Sequence, residues 1–175
     1  GMGTSGLVTA FDPMADGNRM LVGGLMREIV TAMHARGFLG PQVTEDYFGR
    51  RFNCWTPFRV EGYKLVLDEL AAAAKVEVRY FTRVIEADAS QGRLNGVILQ
   101  NVEGLRYVRA RAFVDATGDA SLAALCGVPC REAGRDTPNI MPPTLCAQLG
   151  GIDWSRAKKA NQQALVERAI REGQF

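Results

Sequence analysis

One stretch, Val108–Pro129 (VRARAFVDATGDASLAALCGVP), constrains this chain more than any other. Alternating basic residues, Arg109 and Arg111, lead into a β-type run, Ala112-Phe113-Val114-Asp115. Ala116-Thr117-Gly118-Asp119 follows, and then a helical run from Ala120 to Cys126 that Gly127 and Pro129 stop. The order predicts a strand that passes through a glycine turn into a helix. Glycine there lets the backbone approach a ligand closely. The start of a helix offers unpaired N–H groups at the positive end of its dipole. The pattern points to nucleotide binding.

Bulk properties set the bounds. With 175 residues, 47% of them hydrophobic, the chain has room for one domain, or one and part of a second, around a real core. A net charge of +2 is too small and too dispersed for a nucleic-acid partner. No apolar run reaches the roughly 18 residues of a membrane span, so no membrane partner is expected. The four cysteines, Cys54, Cys126, Cys130 and Cys146, form no CxxC pair. A core-rich chain of this length does not need disulfides, which favours a reducing, cytoplasmic compartment. No signal peptide is visible. No group of His, Cys, Asp and Glu has metal-ligand spacing, so no metal is expected.

Residues 1–22 read as irregular, with turns at Asp12-Pro13 and Asp16-Gly17-Asn18. The opening Gly1-Met2-Gly3-Thr4-Ser5-Gly6 matches GxGxxG in letters only. No strand precedes it, Gly1 reads as a cloning scar, and no βαβ unit follows. Gly23-Gly24 leads into a helix over Leu25–Arg36 with Leu25, Ile29, Val30 and Met33 on one face and Gly37 as its stop. Residues 38–60 read as a loop whose aromatics (Phe38, Tyr47, Phe48, Phe52, Trp55, Phe58) pack under it, with lining of a pocket as the alternative. A second helix is predicted over Tyr63–Ala74, then a strand over Val76–Phe81. Strands at 83–89, 94–101 and 105–111, with tight turns between them, make an antiparallel meander. Residues 131–142 read as loop and Thr144–Leu149 as a strand. Asp153 caps a helix predicted over Trp154–Glu172. No internal repeat is present.

The order helix, strand, meander, strand, Ala-Thr-Gly-Asp, helix resembles the FAD-dependent oxidoreductases of the two-dinucleotide-binding-domain class, which have a glutathione-reductase-like FAD domain. The resemblance rests on Gly3-Thr4-Ser5-Gly6-Leu7-Val8, Leu21-Val22-Gly23-Gly24, Leu65–Leu70 with Val76–Val84, Gly92-Arg93-Leu94-Asn95-Gly96-Val97, and Val114–Asp119 with Ala123–Pro129. It implies an α/β fold. An incomplete Rossmann-like FAD-binding domain with a three-stranded antiparallel meander would span 1–142, and the start of a substrate domain 143–175. It also implies FAD and a small-molecule substrate. By the resemblance, Val84 contacts the adenine through its backbone, and Thr117, Gly118 and Asp119 sit beside the diphosphate and ribitol. Gly3, Thr4, Gly23 and Gly24 approach the isoalloxazine.

Such a fold has a first strand, a GxGxxG turn, a helix and an acidic ribose ligand ahead of the position that Gly3 occupies. The chain is therefore expected to be an internal piece of a longer enzyme, inactive alone and with weak or no affinity for FAD. In the family's parallel sheet order, 3-2-1-4, Val76–Phe81 is the third strand and Ala112–Ala116 the fourth. These two are expected to re-pair non-natively, or to take strands from another copy in a swapped homo-oligomer. Two other readings stand beside this one: a non-catalytic, self-associating α/β module, and an NAD(P)-binding domain of a flavoprotein. No catalytic residue is assigned. His34 reads as a surface or boundary residue, Cys126 and Cys130 as buried or unpaired thiols, and Arg50-Arg51, Arg59 and Arg131 as scattered surface cations.

Overall fold

The computed structural model describes residues 7–50, 55–140, 147 and 149–173. Strand β1 (Ala10–Phe11) precedes helix α1 (Leu25–Ala35), and the predicted apolar period of that helix is mostly kept. Ile29, Val30 and Met33 are buried, whereas Leu25 lies exposed at its open first turn. The helix stops where predicted. The Phe38 N–H donates to the Met33 carbonyl at 2.9 Å and the Gly37 N–H to the His34 carbonyl at 3.0 Å, the bonding of a Schellman end.

The stretch after Gly37 is not all loop. A short helix, α2 (Glu45–Arg50), forms within it, and strand β2 (Thr56–Pro57) pairs antiparallel with β1. Thr44 starts α2, its hydroxyl accepting from the Tyr47 N–H at 3.2 Å. Helix α3 (Val60–Ala73) begins three residues earlier than its apolar period suggested. It packs on α1, with Gly62 set against the Phe38 ring, where a Cβ would lie 2.3 Å from Phe38 Cγ. Phe11, Met14, Ile29, Val30, Met33, Leu39, Val43, Phe48, Phe58 and Val66 form one core. The aromatics of 38–60 therefore mainly serve packing, as expected. Trp55 is exposed, and Phe52 lies outside the described residues.

Thr56 is fully buried in this core, and its hydroxyl has no partner among the described residues. An unpaired buried hydroxyl costs about 1–3 kcal/mol, and valine has nearly the same shape. Thr56→Val is expected to raise stability by about 1 kcal/mol, read as a higher urea midpoint at unchanged slope.

The meander forms as predicted. Strands β3 (Arg83–Ser90), β4 (Arg93–Asn101) and β5 (Gly104–Val108) lie antiparallel in the order β3-β4-β5. The ring of Tyr107 lies over Gly96, where a Cβ would come within 2.4 Å of it. The Tyr107 hydroxyl donates to Asp88 Oδ2 at 2.6 Å, so one side chain crosses all three strands. That bond holds the Asp88 carboxyl below its ordinary pKa and pushes the Tyr107 phenol above its own.

Helix α4 (Ser121–Leu125) stands where the Val108–Pro129 stretch predicts it. The two parallel strands do not form. Val76–Phe81 and Ala112–Ala116 pair with no strand among the described residues. Alternating apolar residues make a strand only beside a ladder partner that accepts their backbone bonds. The predicted helix over Trp154–Glu172 is two helices, α5 (Trp154–Ala157) and α6 (Gln162–Arg171). Asp153 caps α5 as expected, and Asn161 interrupts the run by accepting from the Ala164 N–H at 3.1 Å to start α6. Most of the predicted strand at Thr144–Leu149 lies outside the described residues. The result is a mixed helix-and-sheet structure around a three-stranded antiparallel sheet, compatible with the predicted α/β class. No helix among the described residues is long and apolar enough to cross a membrane.

Candidate functional site

The turn between Val114 and α4 is built by Asp115. Its Oδ1 accepts from the Thr117 N–H at 3.0 Å and from the Thr117 hydroxyl at 2.7 Å. Its Oδ2 accepts from the Ala123 N–H at 2.9 Å. Thr117 Oγ1 in turn accepts from the Ser121 N–H at 2.9 Å. These donated bonds, those from the Ala123 and Thr117 backbone first, hold the Asp115 carboxyl below its ordinary pKa. The chain then rises into α4 through Gly118 at φ +85° and Ala120 at φ +54°. Among the described residues nothing lies within 4 Å of where a Gly118 Cβ would stand. Its backbone angle, not crowding, is what calls for glycine there.

This geometry corrects one expectation. The N–H groups at the start of α4 are not open to a ligand. Those of Ser121 and Ala123 are taken by Thr117 and Asp115. The helix also has only five residues, too few for a strong dipole. What the turn leaves accessible is the exposed backbone at Gly118 and the Asp119 carboxylate. Asp119 makes no hydrogen bond or ion pair among the described residues.

Val84 is brought to helix α4. It pairs with Leu99 at the start of β3, and a register shift follows it before Glu86. Strand β3 packs against α4. Between them lies an open cleft of about 590 Å³, lined by Arg83, Val84 and Ile85 on one side and by Ser121, Ala124 and Leu125 on the other. The sequence reading placed Val84 and Thr117-Gly118-Asp119 in one site; the cleft brings Val84 to Ser121, Ala124 and Leu125 of α4, and Thr117, Gly118 and Asp119 are not among its lining residues.

Gly23 and Gly24 stand elsewhere, at the start of α1. Gly24 is its N-cap at φ 57°, ψ −136°, a conformation open essentially to glycine alone. Its carbonyl accepts from the Arg27 and Glu28 N–H groups at 3.0 and 3.3 Å. Beside α1 is a cavity of about 610 Å³ between Arg19, Arg27, Thr31 and Phe48. Gly3 and Thr4 lie outside the described residues.

Of the other candidates, Arg51 lies outside the described residues, as does the side chain of Arg50. His34 is exposed, with its ring 5.8 Å from that of Phe48. Among the described residues Cys126 and Cys130 are free thiols, and Cys130 is exposed and not buried. Arg59 and Arg131 are exposed. Sequence reading missed Asp115 as the residue that shapes the site, having set it at the end of a strand. The signal was present: Asp115-Ala116-Thr117 is the spacing of a carboxylate that accepts from the N–H two residues on.

One comparison bears on this site. A family model described as FAD dependent oxidoreductase matches residues 1–173. No curated protein and no solved structure matches the chain.

Proposed function

Because the chain belongs to the FAD-dependent oxidoreductase family, we propose that it is part of a flavoenzyme with a glutathione-reductase-like FAD domain, acting on a small-molecule substrate. The FAD-binding part is 1–142, and 143–175 begins the substrate domain. When bound, FAD supplies the redox chemistry, taking or giving a hydride, and the protein supplies binding and orientation. The observation that best supports this reading is the Asp115-shaped turn leading into α4, whose Ser121 lines a cleft together with Val84.

The residues present fit the cofactor in part. Asp119, exposed and unpaired among the described residues, suits the ribitol hydroxyls as an acceptor. The Gly118 backbone stands in open space and admits a close approach by the diphosphate. The main chain of Val84 edges a cleft in which the adenine would lie. Gly24, together with Gly3 and Thr4, would face the isoalloxazine. The first amides of α4 add little, because Thr117 and Asp115 already hold them. These residues by themselves therefore hold FAD weakly.

Amide resonances of the chain followed during titration with millimolar FAD test this. Shifts at Val84, Thr117, Gly118 and Asp119, with none on α6, are the expected result. The absence of shifts at those four would sink the reading and favour a non-catalytic module. Equal or larger shifts with NADH would move the assignment to NAD(P). A stoichiometric yellow complex that survives gel filtration would overturn the expectation of weak binding.

A further inference from the structure

Three elements converge on the cavity of about 610 Å³ beside α1. The first is a small hairpin, in which Ala15 pairs antiparallel with Met20 and the Leu21 N–H donates to the Met14 carbonyl at 2.8 Å. Met14 and Ala15 bury their side chains and so anchor it. Asp16 fixes its tip, where Oδ1 accepts from the Asn18 and Arg19 N–H groups, both at 2.9 Å. The hairpin therefore presents Arg19 to the cavity from a held turn. The second element is α1, which sets Arg27 and Thr31 four residues apart on one face. The third is α2, whose buried Phe48 lines the same space together with Met20.

The charges of this lining are unbalanced. The Arg27 guanidinium makes no hydrogen bond or ion pair among the described residues. That of Arg19 meets Asp16 only at the limit of an ion pair, with Nε 3.8 Å from Oδ2, which leaves its two terminal nitrogens unused among the described residues. Asp46 is the only acid in the lining among the described residues. Two cations against one acid favour an anion, and a monoanion over a dianion such as phosphate. The planar fork of arginine matches a carboxylate with two parallel bonds. Phe48 and Met20 offer an apolar wall beside it. A volume within the roughly 300–1,000 Å³ of small-molecule sites, mainly apolar contact and a few placed polar groups are what such a ligand needs.

We propose that this cavity holds the carboxylate of the substrate, a small monocarboxylic acid with an apolar tail. Its role as substrate rests on the flavoenzyme reading, in which Gly24, at the head of the same helix as Arg27, would face the isoalloxazine. Its binding does not rest on that reading.

Titration of the whole chain with butyrate at constant ionic strength tests this, read on the backbone amides and on the arginine Nε–H resonances. Shifts at Arg19, Arg27 and Thr31 that saturate together are expected, and butyramide, the uncharged isostere, is expected to give none. Arg27→Gln and Arg19→Gln are each expected to weaken butyrate about tenfold. Arg27→Lys should weaken it less, since the ammonium keeps the charge and loses the fork. No shifts with butyrate, equal shifts with butyramide, or undiminished binding by both Gln variants would each overturn the proposal. So would tighter binding of inorganic phosphate at the same residues. Should Arg27→Gln fail to fold by circular dichroism, Arg19→Gln and the butyramide comparison decide. FAD is titrated separately and read at Val84, Thr117, Gly118 and Asp119. Butyrate shifts without FAD shifts overturn the flavoenzyme reading, and the substrate role with it, while the carboxylate site stands. FAD shifts without butyrate shifts overturn the site and spare the reading.

Discussion

Replacing Phe58 by alanine is expected to destabilise the fold by about 3–5 kcal/mol and to melt α1 and α3 together. Phe58 is buried at the junction of three elements. Its ring stacks on Phe11 at 4.2 Å between centroids and leans on Tyr63 at 5.2 Å, while Phe11 meets Tyr63 edge-on at 5.2 Å. Phe11 lies on β1 and Tyr63 on α3, so removing the Phe58 ring opens a void between sheet and helix that neither neighbour alone closes. Small domains hold about 5–15 kcal/mol in all, so this one change removes much of the margin. The backbone is spared: the Phe58 N–H still donates to the Thr9 carbonyl at 2.8 Å. The loss is thus one of packing. Thermal unfolding followed by helical circular dichroism reads it, with Val102→Ala as the comparison. Val102 is 98% exposed and should change nothing measurable in that transition. Equal midpoints for Phe58→Ala and the parent would mean that this cluster is not the core.

How much of this was legible depends on whether the signal is local. The stop of α1 at Gly37, the three meander strands and the cap at Asp153 are each fixed within a few residues, and each forms as read. The misses are of two kinds. Val76–Phe81 and Ala112–Ala116 have strand periodicity, but a strand is a relation to a neighbour, and no neighbour lies beside them among the described residues. Asn161 and Thr44 are helix caps hidden inside runs that a single period appeared to explain, one as a continuous helix and one as a loop. At the site, Thr117-Gly118-Asp119 was readable as a turn. That its two helix-start amides are consumed internally was not, because the acceptor, Asp115, reaches eight residues forward to Ala123.

That reach makes Asp115 the residue on which the shape of the site should depend most. Asp115→Ala removes the acceptor of the Thr117 N–H, the Thr117 hydroxyl and the Ala123 N–H in one step. With the Thr117 side chain released, its bond from the Ser121 N–H goes as well. The strained entry through Gly118 and Ala120, both at positive φ, then has nothing to hold it. Exchange protection at Thr117, Ser121 and Ala123 is expected to fall to the level of open chain, while the amides of β4 keep theirs. Asp115→Asn is expected to lie between, since one amide oxygen can serve Thr117 or Ala123 but not both. The pH dependence follows the same bonds. The native Asp115 pKa is lowered by them. The turn is therefore held fully above the unfolded carboxyl value of about 3.9 and is lost as pH falls through the lower native value. Amide shifts of Thr117 and Ala123 that titrate together below that point are the signature. If Asp115→Ala instead keeps protection at Ala123, the turn is held from elsewhere, and the cleft between β3 and α4 owes its shape to packing of Leu122 alone.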